Sequence, residues 1–326
     1  MIKIFHIAYG LKNRIIPIFT PPHAKKLILT KPSIIINEDS WKKFHGLNIK
    51  TEYDILKCSW NMLRVEDYPL IIAYIGVCDK NNLKKLINLK FLQISSHGNN
   101  GFDNKKLYAS DNVMVAKCKD VFAKSISQYC IAAYYMAKTF AFQRILGCSA
   151  ATKLVSESVT VLIVGLGNIG TELAVLCKKQ GWTVLAIKRS SFSDPNVDAC
   201  YKLDQLKEIS PEADFIINLL PETADTIGIY DFNFFLNLKS TAVFCNVGRA
   251  SAVNESDLAK ALKCNCLSQG TVFLDVANRT KFDSSKVVLT RHCAYKADDN
   301  DFYYDKFFTS QLLQFISTGT VNNRIL

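Results

Sequence analysis

The chain has 326 residues, of which 49% are apolar and 21% charged, and its formal net charge is +11 at neutral pH. This length suits about two domains, and the composition excludes a disordered, fibrous or repetitive protein. The basic residues are scattered, the densest runs being Lys12 to Arg14 and Lys84-Lys85. Nucleic-acid binding needs a concentrated basic face, so no nucleic-acid partner is expected; a general positive field favours small anionic ligands instead.

In chain order, Met1 to Gly10 interrupts its apolar residues with Lys3 and His6, which reads as a first strand and not as a signal peptide. The short apolar runs Leu27 to Leu29, Ile34 to Ile36, Leu70 to Val77 and Phe91 to Ile94 predict further strands. Charged, helix-compatible stretches such as Asn81 to Asn88 lie between them, an alternation that predicts a mostly parallel sheet. From Ser125, the residues Ile126, Cys130, Ala133, Ala137 and Phe140 recur at helical spacing up to Gly147. Tyr129, Tyr134 and Tyr135 widen the apolar face of that helix, which fits either a central core helix or a subunit interface.

The eleven cysteines include no C-x-x-C pair, so neither a disulfide framework nor a metal site is expected, and a reducing cytoplasm fits. No run reaches the roughly 18 apolar residues of a membrane span, so no membrane partner is expected.

The second half repeats strand and helix with clear punctuation. Strands are predicted over Val159 to Val164, Thr183 to Lys188, Asp214 to Leu220, Thr241 to Val247 and Gly270 to Val276. A helix is predicted from Asn168 to Gln180, ended by Gly181, and another opens after Asn254 as N-cap. This order predicts a doubly wound α/β domain.

Gly165-Leu166-Gly167-Asn168-Ile169-Gly170 directly follows the first of these strands and opens the helix. That context makes a G-x-G-x-x-G pattern a dinucleotide fingerprint. Gly165 permits the tight turn, Gly167 lets the backbone approach a pyrophosphate, Gly170 lets helix and sheet pack closely, and the helix N-terminus attracts the phosphates. The following strand ends in Lys188-Arg189-Ser190-Ser191, where an NAD site carries a carboxylate for the ribose hydroxyl. Two cations there suit the extra phosphate of NADP, with Ser190 and Ser191 as donors; NAD is the alternative.

Several motifs now resemble the D-isomer-specific 2-hydroxyacid dehydrogenase family, especially its glyoxylate and hydroxypyruvate reductase-like members. Leu220-Pro221-Glu222-Thr223-Ala224-Asp225-Thr226-Ile227-Gly228 is similar to the family's L-P-x-T-x-x-T-x-G. Asn237-Leu238-Lys239, Asn246-Val247-Gly248-Arg249, Glu255 with Leu258, Leu274-Asp275-Val276, and Leu289-Thr290-Arg291-His292 resemble its later elements in order. The resemblance implies two doubly wound parallel-sheet domains, a Rossmann domain of residues 106–292 inserted in a flavodoxin-like substrate domain of residues 1–105 and 293–326. It also implies an active site in the cleft between them and a homodimer built on the nucleotide domains, for which the broad Ser125 to Gly147 face would serve.

By the same resemblance, Leu220, Pro221, Thr226, Asn246, Val247, Gly248 and Asp275 join Gly165, Gly167, Asn168, Ile169, Gly170, Lys188, Arg189 and Ser190 around the cofactor. Arg249 orients a small 2-keto acid, its planar fork matching a carboxylate. His292 is the acid in reduction and the base in oxidation. Ser96, His97 and Gly98, after the Phe91 to Ile94 strand, hold the substrate carboxylate, largely by backbone amides.

The chain departs from the family pattern where a glutamate supports the histidine: Thr280 stands at that place, with Asp283 the nearest carboxylate after it. His292 is therefore expected to lack charge support for its protonated form, and Arg291 and Lys296 act in the same direction. Arg291 also replaces the proline before the histidine, and Ala250 the glycine after Arg249. Two readings stand: an NADPH-dependent 2-keto acid reductase with a retuned acid, and an NAD(P)-binding protein of the same fold with little turnover. A dehydrogenase for a different acid, such as a phosphonate or sugar acid, is a third.

Overall fold

The computed structural model describes residues 29–37, 51–96, 98–99, 101–139, 141, 158–189, 194–268, 270–278, 282, 286–297 and 300–326. They fall into two units, one comprising residues 1–121 with 298–326 and the other residues 122–297.

In the first unit, β1 (Ser33–Ile36), β2 (Asp54–Lys57), β3 (Ile71–Ile75), β4 (Phe91–Gln93) and β5 (Met114–Ala116) form a parallel sheet of order β2-β1-β3-β4-β5. β1 and β3 are buried along their whole length, which is why they read as unbroken isoleucine-rich runs instead of alternating ones. The order is that of a flavodoxin-like doubly wound sheet. The C-terminal helix (Asn300–Thr318) packs on it: Phe315 sits 5.1 Å from Phe91, and Gln311 Nε2 donates to Gln93 Oε1 at 3.2 Å. The last residues then pair with β5, Ile325 N donating to Val115 O at 2.7 Å.

Here the structure differs from the sequence reading in three places. β2 was not expected, because charged Asp54 and Lys57 bracket only two apolar residues. β5 lies in the first sheet, beyond the boundary at residue 105. The stretch expected as a helix over Asn81 to Asn88 is a short 3-10 segment, Lys80–Lys85, started by the Asp79 carboxylate accepting from Asn81 N; adjacent asparagines are poor helix formers. Of the other expected strands, Met1 to Gly10 and Leu27-Ile28 lie outside the described residues, and Leu29 is buried without joining a strand.

In the second unit, α1 (Ala123–Lys138) precedes β6 (Thr160–Val164), α2 (Asn168–Lys179), β7 (Thr183–Ile187), β8 (Ala199–Tyr201), β9 (Phe215–Asn218), β10 (Val243–Asn246), α3 (Glu255–Lys263), β11 (Thr271–Leu274) and β12 (Val287–Leu289). All its strands are parallel, in the order β12-β11-β10-β9-β6-β7-β8. The chain winds outward from β6 to β8 and then returns to the other side of β6 at β9. That reversal creates a switch point between β6 and β9, and ligands of such sheets bind outside the carboxyl ends of the strands there.

The aromatic face of α1 finds partners within this unit. Tyr134 is fully buried, 4.8 Å from Trp182 and 5.1 Å from Phe215, while Tyr135 Oη donates to Gln180 Oε1 at 2.8 Å. The expected continuation from Phe140 to Gly147 lies almost wholly outside the described residues. Gly181, at φ +78°, closes α2, and Asn254 caps α3 by accepting from Asp257 N at 3.2 Å. Among the described residues, no helix is long and apolar enough to cross a membrane.

Candidate active site

The glycine turn leaves β6 at the switch point. Gly165 N and Leu166 N both donate to Ile187 O, at 3.0 and 3.2 Å, which ties the turn to the neighbouring strand. Gly165 has φ +106°, and a Cβ there would lie 3.0 Å from the Leu219 carbonyl carbon. At Gly170 a Cβ would come within 2.6 Å of Gly165 O. Both positions therefore need glycine for the protein's own packing. At Gly167 an added Cβ would meet nothing within 4 Å, so the absent side chain leaves open space beside the first turn of α2. The N–H groups of Asn168, Ile169 and Gly170 have no intrahelical acceptor, the first such bond being Thr171 N to Gly167 O at 2.8 Å. A backbone concavity with free donors fits a pyrophosphate. At the end of β7, Lys188 is half-buried and Arg189 exposed; Ser190 and Ser191 lie outside the described residues.

The next strands are joined by two asparagines that sequence reading did not single out together. Asn218 Nδ2 donates to Asn246 Oδ1 at 2.8 Å, and Asn218 Oδ1 accepts from Leu220 N and from buried Tyr230 Oη, each at 3.1 Å. Burial pushes the Tyr230 phenol well above its ordinary range, so it stays a proton donor. Asn246 Oδ1 also accepts from Gly248 N at 3.1 Å, while Asn246 Nδ2 donates to Arg249 O at 3.0 Å. The signal for Asn218 was available in principle, since a polar residue ending a buried apolar strand must find partners.

This network sets the backbone of Arg249. Gly248 is needed within it, because a Cβ would approach Leu220 O to 2.8 Å and Asn218 Nδ2 to 2.9 Å. The Arg249 side chain is half-buried and donates through Nη1 to Gly248 O at 2.7 Å. Val247 is buried beside it. Leu220 and exposed Pro221 lead into a loop closed by Thr226, whose buried hydroxyl donates to Pro221 O at 2.7 Å and accepts from Thr223 N at 2.8 Å. Thr226 thus shapes the loop from within.

His292 follows β12. It is exposed, its backbone is left-handed at φ +48°, and its ring stands edge-on to Tyr295 with centroids 5.7 Å apart. Asp275, buried at the end of β11, organises this turn: its backbone carbonyl accepts from His292 N at 2.8 Å and its Oδ1 from Cys293 N at 2.7 Å. Thr280, Asp283 and His97 lie outside the described residues. In the first unit, Ser96 Oγ donates to Gly98 O at 2.8 Å just beyond β4, and Gly101 in the same loop has φ +75°.

Because every strand of the second sheet is parallel, the segments after β7, β6, β10 and β12 emerge on one edge. Neighbouring strands are about 4.8 Å apart, so the glycine turn and the Arg249 segment are separated by roughly 10 Å, as are the Arg249 and His292 segments. The sheet thus sets out a basic strand end, a glycine turn, an arginine and a histidine in a row. Among the described residues, no His, Cys, Asp and Glu cluster could hold a metal ion.

Residues 147–294 match the family model of the D-isomer specific 2-hydroxyacid dehydrogenase, NAD binding domain. A glyoxylate/hydroxypyruvate reductase A from Citrobacter koseri is 30% identical over 145 residues, covering 42% of this chain and 46% of the relative. The chain thus spans about half the length of that curated relative. A solved D-isomer specific 2-hydroxyacid dehydrogenase family protein from Aeromonas salmonicida superposes with a TM-score of 0.77 at 20% identity, over 90% of this chain and 99% of the other. An NADPH-dependent glyoxylate/hydroxypyruvate reductase from Sinorhizobium meliloti, solved with NADP and sulfate, gives 0.71 at 19% identity, over 90% and 98%. The resemblance read from the motifs is borne out as a likeness: residues 147–294 match the model of that family's NAD binding domain, and the chain has the fold of the solved family protein.

Proposed function

We propose that this protein is an NADPH-dependent reductase of small 2-keto acids. The observation that carries the reading is the row along one sheet edge: the glycine turn after β6, Arg249 after β10 and His292 after β12. A bound nicotinamide dinucleotide would supply the hydride. Its pyrophosphate would rest on the N–H groups of Asn168 and Ile169, and Lys188 and Arg189 would take the 2′-phosphate of NADP by charge-assisted hydrogen bonds.

Arg249, with its backbone held by Asn246, would orient the keto acid and polarise its carbonyl. His292 would hold the proton on its imidazole and pass it to the oxygen as negative charge develops. The names of the similar proteins, glyoxylate and hydroxypyruvate reductases, supply the first substrates to try.

A second reading, NADPH binding with little turnover, is favoured by one observation, the threonine at position 280 where the family carries a glutamate. The purified protein should be given NADPH with glyoxylate, hydroxypyruvate and larger 2-keto acids over a range of pH. Oxidation of NADPH dependent on a keto acid, and lost in Arg249→Ala, is the expected result. Tight NADPH binding without oxidation by any acid of the panel would overturn the reductase in favour of the second reading.

A further inference from the structure

The turn bearing His292 is bound to α1 by a chain of side chains that the mechanism above does not use. Thr290 Oγ1 donates to Asp275 Oδ1 at 2.6 Å, and Tyr129 Oη lies 2.8 Å from Thr290 Oγ1. A carboxylate only accepts, so the single hydroxyl proton of Thr290 goes to Asp275, and the Tyr129 phenol donates to Thr290. Burial pushes that phenol well above its ordinary range, which keeps it a donor.

Asp275 Oδ1 also accepts from Cys293 N at 2.7 Å and Ala294 N at 3.2 Å. Residues on both sides of His292 are therefore tied to one carboxylate. Between them His292 takes φ +48°, a conformation that a side chain disfavours and that surrounding bonds must impose. The ring has a second brace from the same helix region. Tyr295, edge-on to His292, stands edge-on to Phe122 with centroids 5.6 Å apart, and its carbonyl accepts from Ser125 Oγ at 3.0 Å.

We propose that Tyr129 and Thr290 are positioning residues that, through Asp275, hold the His292 turn in the geometry its acid role requires. The proposal rests on the reading of His292 as the acid. In it, α1 and the buried carboxylate supply the fixed placement of the histidine in a chain that has threonine at position 280.

The test compares Thr290→Val, Thr290→Ser and Tyr129→Phe in the full chain. Thr290→Val keeps the shape and removes the hydroxyl, and it should lower kcat for the keto acid by about ten- to a hundredfold, the scale of a misplaced catalytic group. KM for NADPH should change little. Thr290→Ser should restore most of kcat, and Tyr129→Phe should lose less than Thr290→Val. A second readout needs no turnover: the imidazole resonance of His292 in NMR, identified by its loss in His292→Gln among the five histidines of the chain. It should shift or broaden in Thr290→Val and Tyr129→Phe and return in Thr290→Ser. An unmoved resonance in both variants, or a kcat equal to that of the unsubstituted protein, would overturn the proposal. Absence of turnover in the unsubstituted protein would sink the reductase reading, whereas the resonance tests the hold on the histidine by itself.

Discussion

Asn218 and Asn246 face each other across the carboxyl ends of β9 and β10, with Asn218 Nδ2 donating to Asn246 Oδ1 at 2.8 Å. Asn246 then passes the constraint on, accepting from Gly248 N and donating to the carbonyl of Arg249. Each asparagine uses both ends of its amide, so neither can be replaced by an apolar residue without leaving a buried polar group alone. Asn246→Ala should lower stability by about 1–3 kcal/mol, the cost of an orphaned buried partner. It should also lower kcat/KM by roughly tenfold or more through displacement of Arg249. Urea unfolding and steady-state kinetics measure the two effects, and wild-type kinetics in a destabilised Asn246→Ala protein would show that Arg249 does not depend on this network.

Two glycines of one turn should respond in opposite ways. Gly167→Ala puts a methyl group into open space, so its melting temperature should stay at the wild-type value while NADPH binding weakens. Gly170→Ala forces a methyl group to 2.6 Å from Gly165 O, and strain of this kind costs about 1–3 kcal/mol. Thermal melting and fluorescence titration with NADPH separate the two cases. Unchanged NADPH affinity in Gly167→Ala would mean that the cofactor does not approach the backbone there.

The basic end of β7 should decide between the two nicotinamide cofactors. Removing both cations in Lys188→Ala/Arg189→Ala deletes charge-assisted bonds to the 2′-phosphate, each worth about 1.5–3 kcal/mol. The double variant should bind NADPH at least tenfold more weakly and leave NADH nearly unaffected. A preference for NADH in the unsubstituted protein would refute this assignment.

Acid should loosen the first unit at a particular ion pair. Arg64 Nε and Nη2 each donate to the buried Asp67 carboxylate at 2.7 Å, and Leu29 N adds a third bond at 3.2 Å. The Arg64 guanidinium, and with it the Leu29 amide, holds the Asp67 carboxyl below the usual carboxylate range. Since the folded value is depressed, the stabilisation is present above the unfolded value, near about 4, and is lost as pH falls through the folded value below it. Urea midpoints of the wild type and Asp67→Asn should differ at neutral pH and converge as the solution is acidified below that range. A constant difference at all pH values would show that the carboxylate charge is not what Asp67 contributes.

Much of the second unit was legible from local pattern. β6, β7, β9, β10 and β11 are short runs, apolar except for one terminal Thr or Asn, the pattern of parallel strands covered on both faces. Gly165, at φ +106°, and Gly170, packed against Gly165 O, declared themselves because such a turn and such a contact exclude a side chain within a few residues. β5 and the 3-10 segment after Asp79 were harder, since three apolar residues, or five polar ones around Leu83, carry too little periodicity to name an element. In the candidate site, the glycine turn, Arg249 and His292 could be named from motifs, but the side chains that hold them could not.

The sequence by itself determined the doubly wound order and the residue types along it, because strand burial and turn geometry act between near neighbours in the chain. Only the tertiary structure decided that Asn218 meets Asn246, and that Tyr129 reaches Thr290 across 161 positions. Such bonds depend on which strand lies beside which and on the angle at which a helix crosses the sheet. A hydroxyl or amide in a sequence says that a partner is required, and the packing of elements distant in the chain chooses it.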